Sequence, residues 1–261
     1  MSASENRYRD DSPAAEHPRS RLAILGFGLA VLAAVAAMLA GWGSRFGVWE
    51  FRTGFTVLKW AVYLGIAAAA VSLGGVVATR VGVHRRGIGF ALAGLAIGLA
   101  VVYVPWNWRR TARSVPPIHD ITTDTQDPPP FVVILPLRAD APNSAEYEGD
   151  SIAGLQREAY PDVQPLALDL PPDRAFDAAL ESARGMGWEI HAAEPAEGRI
   201  EATDTTFWFG FEDDVVVRVT PAAGGARVDV RSVSRVGGSD VGTNAKRIRE
   251  YLDAVRERAA E

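Results

Sequence analysis

His119-Asp120, with Asp124 close behind, sets a possible base beside acids that could orient it. An imidazole steadied by a carboxylate can move a proton, so His119 with Asp120 or Asp124 is a candidate general-base pair for hydrolysis. Such a pair also needs a nucleophile, and no Ser or Cys occupies a nucleophile-elbow setting. Prolines flank the segment at Pro116-Pro117 and at residues 128–130. The plainer expectation is a solvated stretch that packs on a domain, and no catalytic residue is assigned.

Residues 235–244, RVGGSDVGTN, form the least ordinary stretch. Gly237 and Gly242 have the GxxxxG spacing of a phosphate loop. Thr243 and Asn244 stand where that loop requires Lys and Ser or Thr, so the contact to the outer phosphates is missing. Nucleotide hydrolysis is thereby rejected. What remains is a glycine-rich turn before a helix, with Ser239 or Asp240 able to cap the free N–H groups, or an anion there instead. The Glu212-Asp213-Asp214 run lacks the ligand spacing of a calcium loop and reads as a turn.

Residues 205–211, TTFWFGF, concentrate four aromatic rings between two strands. They suit a core, a pocket mouth or a membrane interface. Ser232 and Ser234 interrupt an otherwise apolar alternation, which signals a bulge or polar groups facing a cavity. Arg231 and Arg235 flank that change. Trp208, Phe209, Arg231, Arg235, Asp240 and Asn244 are accordingly the candidate ligand-binding residues.

Cysteine is absent, which excludes disulfides, thiolate catalysis and cysteine-based zinc sites. The four histidines are scattered and none has metal-ligand spacing, so neither a metal nor a cofactor is expected. Residues 1–113 hold 13 Lys and Arg against 5 Asp and Glu; residues 114–261 hold 14 against 27. An acidic second half repels phosphate backbones, so nucleic acid is not an expected partner.

The elements that must position these side chains differ between the halves. Three charge-free segments, residues 22–44, 60–79 and 87–108, each have roughly the 20 residues needed to cross a bilayer as a helix. They predict transmembrane helices at about 22–43, 60–79 and 87–106. Trp42, Trp60, Trp106 and Trp108 stand near segment ends, as interfacial indoles do. Ionisable groups are missing from all three spans, so they read as an anchor in the lipid bilayer rather than an ion pathway. Gly94 and Gly98 form a GxxxG pair, matched in spacing by Ala70 and Gly74. Such pairs suit packing among the three helices, or a homo-oligomer contact. Residues 1–20 are polar, with Pro13 and Pro18, and are expected to be disordered.

Three spans place the chain termini on opposite sides. Seven basic residues, Arg7, Arg9, Arg19, Arg21, Arg80, Arg85 and Arg86, fall on the N-terminal side. Six fall on the other, which places the N-terminus in the cytoplasm and the C-terminal domain across the membrane.

Residues 111–130 read as a proline-rich linker and residues 131–261 as one soluble domain. Residues 131–135 form a short β-run, and residues 151–159 a short helix. A strand at 164–170 precedes a helix that starts at Pro171-Pro172-Asp173 and stops near Gly185 and Gly187. Strands follow around Trp188, Ile200, Val217 and Val228, joined by turns at Gly198 and at Gly224-Gly225. A final helix begins at Ser239 or Asp240, with an apolar stripe through Ile248, Leu252 and Val255. The predicted class is α+β: an antiparallel sheet with helices on one face, compatible with a helix-grip arrangement.

Several stretches together resemble the family catalogued as domain of unknown function 1499. They are PPIHDITTD at 116–124, DPPPF at 127–131, QREAYPDVQPL at 156–166 and MGWEI at 186–190, then residues 198–219 and 227–248. The resemblance covers residues 114–261. It implies no activity and no catalytic residue, but related members resemble exported or lipid-anchored bacterial envelope proteins. The resulting expectation is a multi-pass protein of the inner (cytoplasmic) membrane with a periplasmic domain. That domain is expected to be a non-enzymatic module binding an apolar ligand or an envelope protein partner. The alternative is a membrane-surface hydrolase using His119.

Overall fold

A computed structural model describes residues 18–80 and 86–261. The expected disordered tail lies outside the described residues up to position 17, as do His84 and Arg85. The described residues divide into two compact units, residues 18–37 with 57–80 and 86–103, and residues 38–56 with 104–261.

Three helices, α1 (Arg21–Arg45), α2 (Phe51–Thr79) and α3 (Ile88–Ala112), are each long and apolar enough to cross a membrane. α2 starts nine residues before the expected span at 60, because the Glu50 carbonyl accepts the amides of Thr53 and Gly54 and so opens the helix early. Within the first unit, small residues let the three backbones approach. A Cβ added at Gly94 would meet the Phe27 amide nitrogen at 2.9 Å, and one at Gly98 would meet the Gly65 carbonyl at 2.9 Å. A Cβ at Gly26 would meet the Ser72 amide nitrogen at 2.7 Å. The GxxxG pair therefore serves packing among α1, α2 and α3.

The second unit contains one antiparallel sheet with strands β1 (Asp120–Thr122), β2 (Leu166–Leu168), β3 (Glu189–Glu194), β4 (Arg199–Thr205), β5 (Glu212–Ala222) and β6 (Gly225–Ser234). The spatial order is β1-β6-β5-β4-β3, and β2 also lies along β6. The helices are α4 (Asp150–Ala159), α5 (Pro172–Gly185) and α6 (Thr243–Ala259). Alternation assigns the two sheet faces. Ile200, Ala202, Val215, Val217, Val219, Val228 and Val230 point toward α5 and α6 and share one core with Phe176, Ile248 and Leu252. Tyr251 of α6 is fully buried there, stacked on Trp188 with centroids 4.7 Å apart, and its hydroxyl donates to the Ala179 carbonyl of α5 at 2.9 Å.

The opposite face carries Glu201, Thr203, Asp214, Val216, Arg231, Val233 and Arg235. It is covered by the chain that follows β1. Phe131 and Ile134 pack there on Val216 and Val233. Residues 131–135 do not form the expected strand. Glu201 is the reason: one of its carboxylate oxygens accepts the Val132 and Val133 amides at 3.0 and 3.1 Å, and the other accepts Ile134 at 2.9 Å. A single side chain takes the donors that a neighbouring strand would have bonded. The chain then tightens into a 3-10 turn, Leu135–Arg138.

Nor is the region before residue 130 a free-running linker. β1 pairs with Arg231, Ser232 and Val233 of β6, and Ile118 and Ile121 are fully buried in the core. Five residues, 113–117, separate the end of α3 from Ile118. Prolines and acids masked this in the sequence, since the apolar content reduces to two isoleucines.

Candidate functional site

The β4–β5 connection, residues 206–211, folds back on itself. Thr206 N–H donates to the Phe211 carbonyl at 2.8 Å, and its hydroxyl accepts the Phe211 amide at 2.8 Å. Gly210 closes the loop at φ +69°, a conformation that glycine adopts without the Cβ strain other residues meet. The aromatic residues leave the sheet core and meet the helix ends that belong to the same unit. Phe209 packs on Phe55 of α2 at 4.9 Å and stacks on Phe211 at 5.5 Å with the rings 9° apart. Phe211 meets Phe51 edge-on at 5.7 Å, and Trp208 meets Trp108 of α3 at 5.1 Å. Arg45, the last residue of α1, donates to the carbonyls of Thr206 at 2.6 Å and Phe207 at 3.2 Å.

A cleft of about 320 Å³ opens beside this cluster. Phe51, Phe209 and Phe211 supply its apolar wall, while Glu212, Arg235 and Asp140 supply its charge. Arg235 is held in place from behind: its Nε and Nη2 donate to the two oxygens of Asp214 at 2.9 and 2.8 Å, and its Nη1 pairs with Glu212. The two-oxygen contact with buried Asp214 holds the guanidinium charge firmly and raises its pKa. Asp214 also accepts Arg138 at 3.0 Å and the Thr203 hydroxyl at 2.7 Å. A second cleft, of about 590 Å³, lies between α4 and the chain around Asp124, lined by Gln156, Tyr160, Gln164 and Arg227.

Further along the same face, Arg231 makes a two-point pair with Asp120 at 3.0 and 2.7 Å. Its guanidinium lies between the rings of Phe131 and Tyr147, at 5.2 and 5.4 Å. Burial raises the Asp120 carboxyl, against the opposing pull of Arg231. Burial also pushes the Tyr147 hydroxyl up to about 12. Asp124 is claimed by Arg227 at 2.6 Å. Both carboxylates that could orient His119 thus face arginines.

On the helix side, Ser232 and Ser234 cause no bulge, since the β5–β6 register runs unbroken from 225 to 234. They face a buried polar cluster instead. The Ser232 hydroxyl donates to Asn244 at 2.8 Å, and the Asn244 amide donates to the Ser234 hydroxyl at 3.0 Å. Arg247 joins Asp213 at 2.6 Å and Asp204 at 2.7 Å. The glycine-rich turn is a capping turn. Asp240 accepts the amides of Gly242 and Asn244, both at 2.8 Å. α6 therefore begins at Thr243, later than the Ser239 or Asp240 start that the sequence suggests. Val241 takes φ +55° inside that turn, an unusual conformation for a β-branched residue.

Of the six residues singled out from sequence, Phe209 and Arg235 line one cleft, and Trp208 adjoins Phe209. Arg231 is engaged by Asp120, while Asp240 and Asn244 lie with the helix-side cluster. Sequence reasoning missed Phe51, Leu137 and Asp140 of the cleft, and Glu201. Phe51 sat at the edge of an apolar run, where nothing distinguished it from a membrane-flanking residue.

The model of the family described as protein of unknown function (DUF1499) matches residues 120–255, and the chain belongs to that family. No curated protein matches it. Among solved structures, a crystal structure of a Chromobacterium violaceum protein is similar over 37% of this chain and 92% of its own, at 16% identity and a TM-score of 0.29. A Thermus thermophilus protein is similar over 37% of this chain and 94% of its own, at 14% identity and a TM-score of 0.25. Likenesses at those scores carry no argument about fold or function.

Proposed function

We propose that this protein is a membrane-anchored, non-enzymatic module of the bacterial cell envelope, which binds an apolar ligand or a partner protein at the cleft beside Phe209. In this reading α1–α3 cross the inner (cytoplasmic) membrane and the sheet domain is periplasmic. The observation that carries it is the cleft itself: three phenylalanine faces beside a firmly held ion pair, next to the ends of three apolar helices. Apolar walls with few fixed polar groups suit binding. The placement of α6 against the sheet supports a helix-grip arrangement. The engagement of Asp120 by Arg231 and of Asp124 by Arg227 favours binding over the hydrolase reading, because both carboxylates are committed to arginines.

Native mass spectrometry of the full chain in detergent tests the binding reading. A small apolar molecule or an envelope protein should copurify, and Leu137→Glu, which changes an exposed cleft wall, should release it. A wild-type chain that carries nothing would overturn the proposal. A compartment-sensitive reporter fused after Glu261 tests the orientation, with periplasmic activity expected.

A further inference from the structure

Residues 206–211 do more than wall a cleft. Phe207 is 79% exposed, although both its neighbours are fastened. Arg45 holds the carbonyls of Thr206 and Phe207, and Trp208 donates to Met38 of α1 at 3.2 Å. Trp208 lies over Gly41, where any side chain would collide with its indole. The loop is thus rigid, and it holds a large apolar ring away from the protein. Around it, Phe46 and Val48 of the α1–α2 connection are exposed, as are Trp106 and Trp108 of α3. Arg45 is bonded to the loop, Arg52 lies over the Phe51 ring at 5.7 Å and Arg110 over the Trp106 ring at 6.0 Å. Exposed aromatic and aliphatic side chains beside arginines, at the ends of apolar helices, match the chemistry of an anionic headgroup layer.

We propose that the β4–β5 loop is a membrane seat, with Phe207 inserted among the headgroups and upper acyl carbons of the bilayer that α1–α3 cross. This rests on the transmembrane reading above. The seat gives the sheet domain a second hold on the membrane and sets the cleft of Phe51, Phe209 and Phe211 at headgroup level. Because the loop is already ordered, insertion carries little ordering cost.

The chain has no cysteine, so Phe207→Cys can carry a single environment-sensitive fluorophore without background. The full chain would be reconstituted in phosphatidylcholine–phosphatidylglycerol vesicles, with Glu181→Cys at an exposed position of α5 as the aqueous control. The label at 207 should shift to the blue. Lipids spin-labelled near the headgroup should quench it about twofold more than the control. A label at 207 that stays in water, in protein that floats with vesicles and resists alkaline extraction, would overturn the seat and leave the anchor intact. A blue-shifted label that the lipids do not quench would assign the surface to another protein or a second copy, and would also overturn it. Failure to float would overturn both readings.

Discussion

The indole N–H of Trp208 donates to the carbonyl oxygen of Met38 at 3.2 Å, across 170 positions of sequence. The bond ties the β4–β5 loop to the last turns of α1, and Gly41 provides the space for it. Gly41→Val should displace the indole, shift the tryptophan emission and lower stability by about 1–3 kcal/mol, as overpacking does. Gly28→Val, at a position with open space around it, should leave both nearly unchanged. Thermal unfolding of the full chain in detergent, followed by tryptophan fluorescence, reads the difference.

Glu201 is fully buried and accepts three consecutive amides as well as Arg199. Glu201→Ala leaves those donors without their acceptor and Arg199 with Glu197 alone, which should cost about 1–3 kcal/mol. Glu201→Gln keeps one acceptor and should cost less. Limited proteolysis should cut the 131–138 segment sooner in the alanine variant, even where the sheet survives.

One oxygen of Asp240 accepts the Asn244 amide of α6 and the other accepts Gly242 just before the helix, yet burial holds its carboxyl above the ordinary value. A raised carboxyl favours folding most when protonated. Its contribution therefore falls as pH rises through the folded-state value. Asp240→Asn keeps an acceptor and removes the buried charge, so it should be close to neutral at pH 7. Asp240→Ala loses the cap and should cost about 1–2 kcal/mol. Thermal midpoints of the two variants at pH 7 and pH 4 check both expectations.

Asp124 behaves in the opposite sense. Burial would raise its carboxyl, but the amides of Asp127 and Gln126, with Arg227 and Arg218, together lower it. A lowered carboxyl stabilises the fold above the ordinary carboxylate range, and that contribution is lost as pH falls below about 4. Asp124→Asn should cost about 1 kcal/mol at pH 7 and show a shallower acid decline. A pH series of unfolding midpoints between 3 and 7 measures it.

Much of this architecture was readable from pattern. The three apolar segments, the proline start of α5, the alternation through Val215, Val217 and Val219, and the stripe of α6 each depend on local periodicity. The parts that were not readable depend on single long-range polar contacts. Residues 131–135 have the composition of a strand, but Glu201, some 70 positions away, takes their donors. Residues 118–122 look like linker because one strand of three residues needs only Ile118 and Ile121 to join a core. Within the cleft, Phe209 and Arg235 were visible as oddities of their own strands. Phe51 was not, because its neighbours in space come from the other half of the chain.

The short stretch between α3 and β1 decides where this protein can be cut. Ile118 and Ile121 complete the core, and β1 covers part of the outer edge of β6. A fragment beginning at residue 131 would keep every long strand and helix of the sheet domain, yet it would expose a hydrophobic seam and an unpaired strand edge, both routes to aggregation. A fragment beginning at Arg113 would retain the seam's own lining. The sheet domain therefore starts ahead of the prolines, and any fragment meant to keep it intact has to carry residues 113–130.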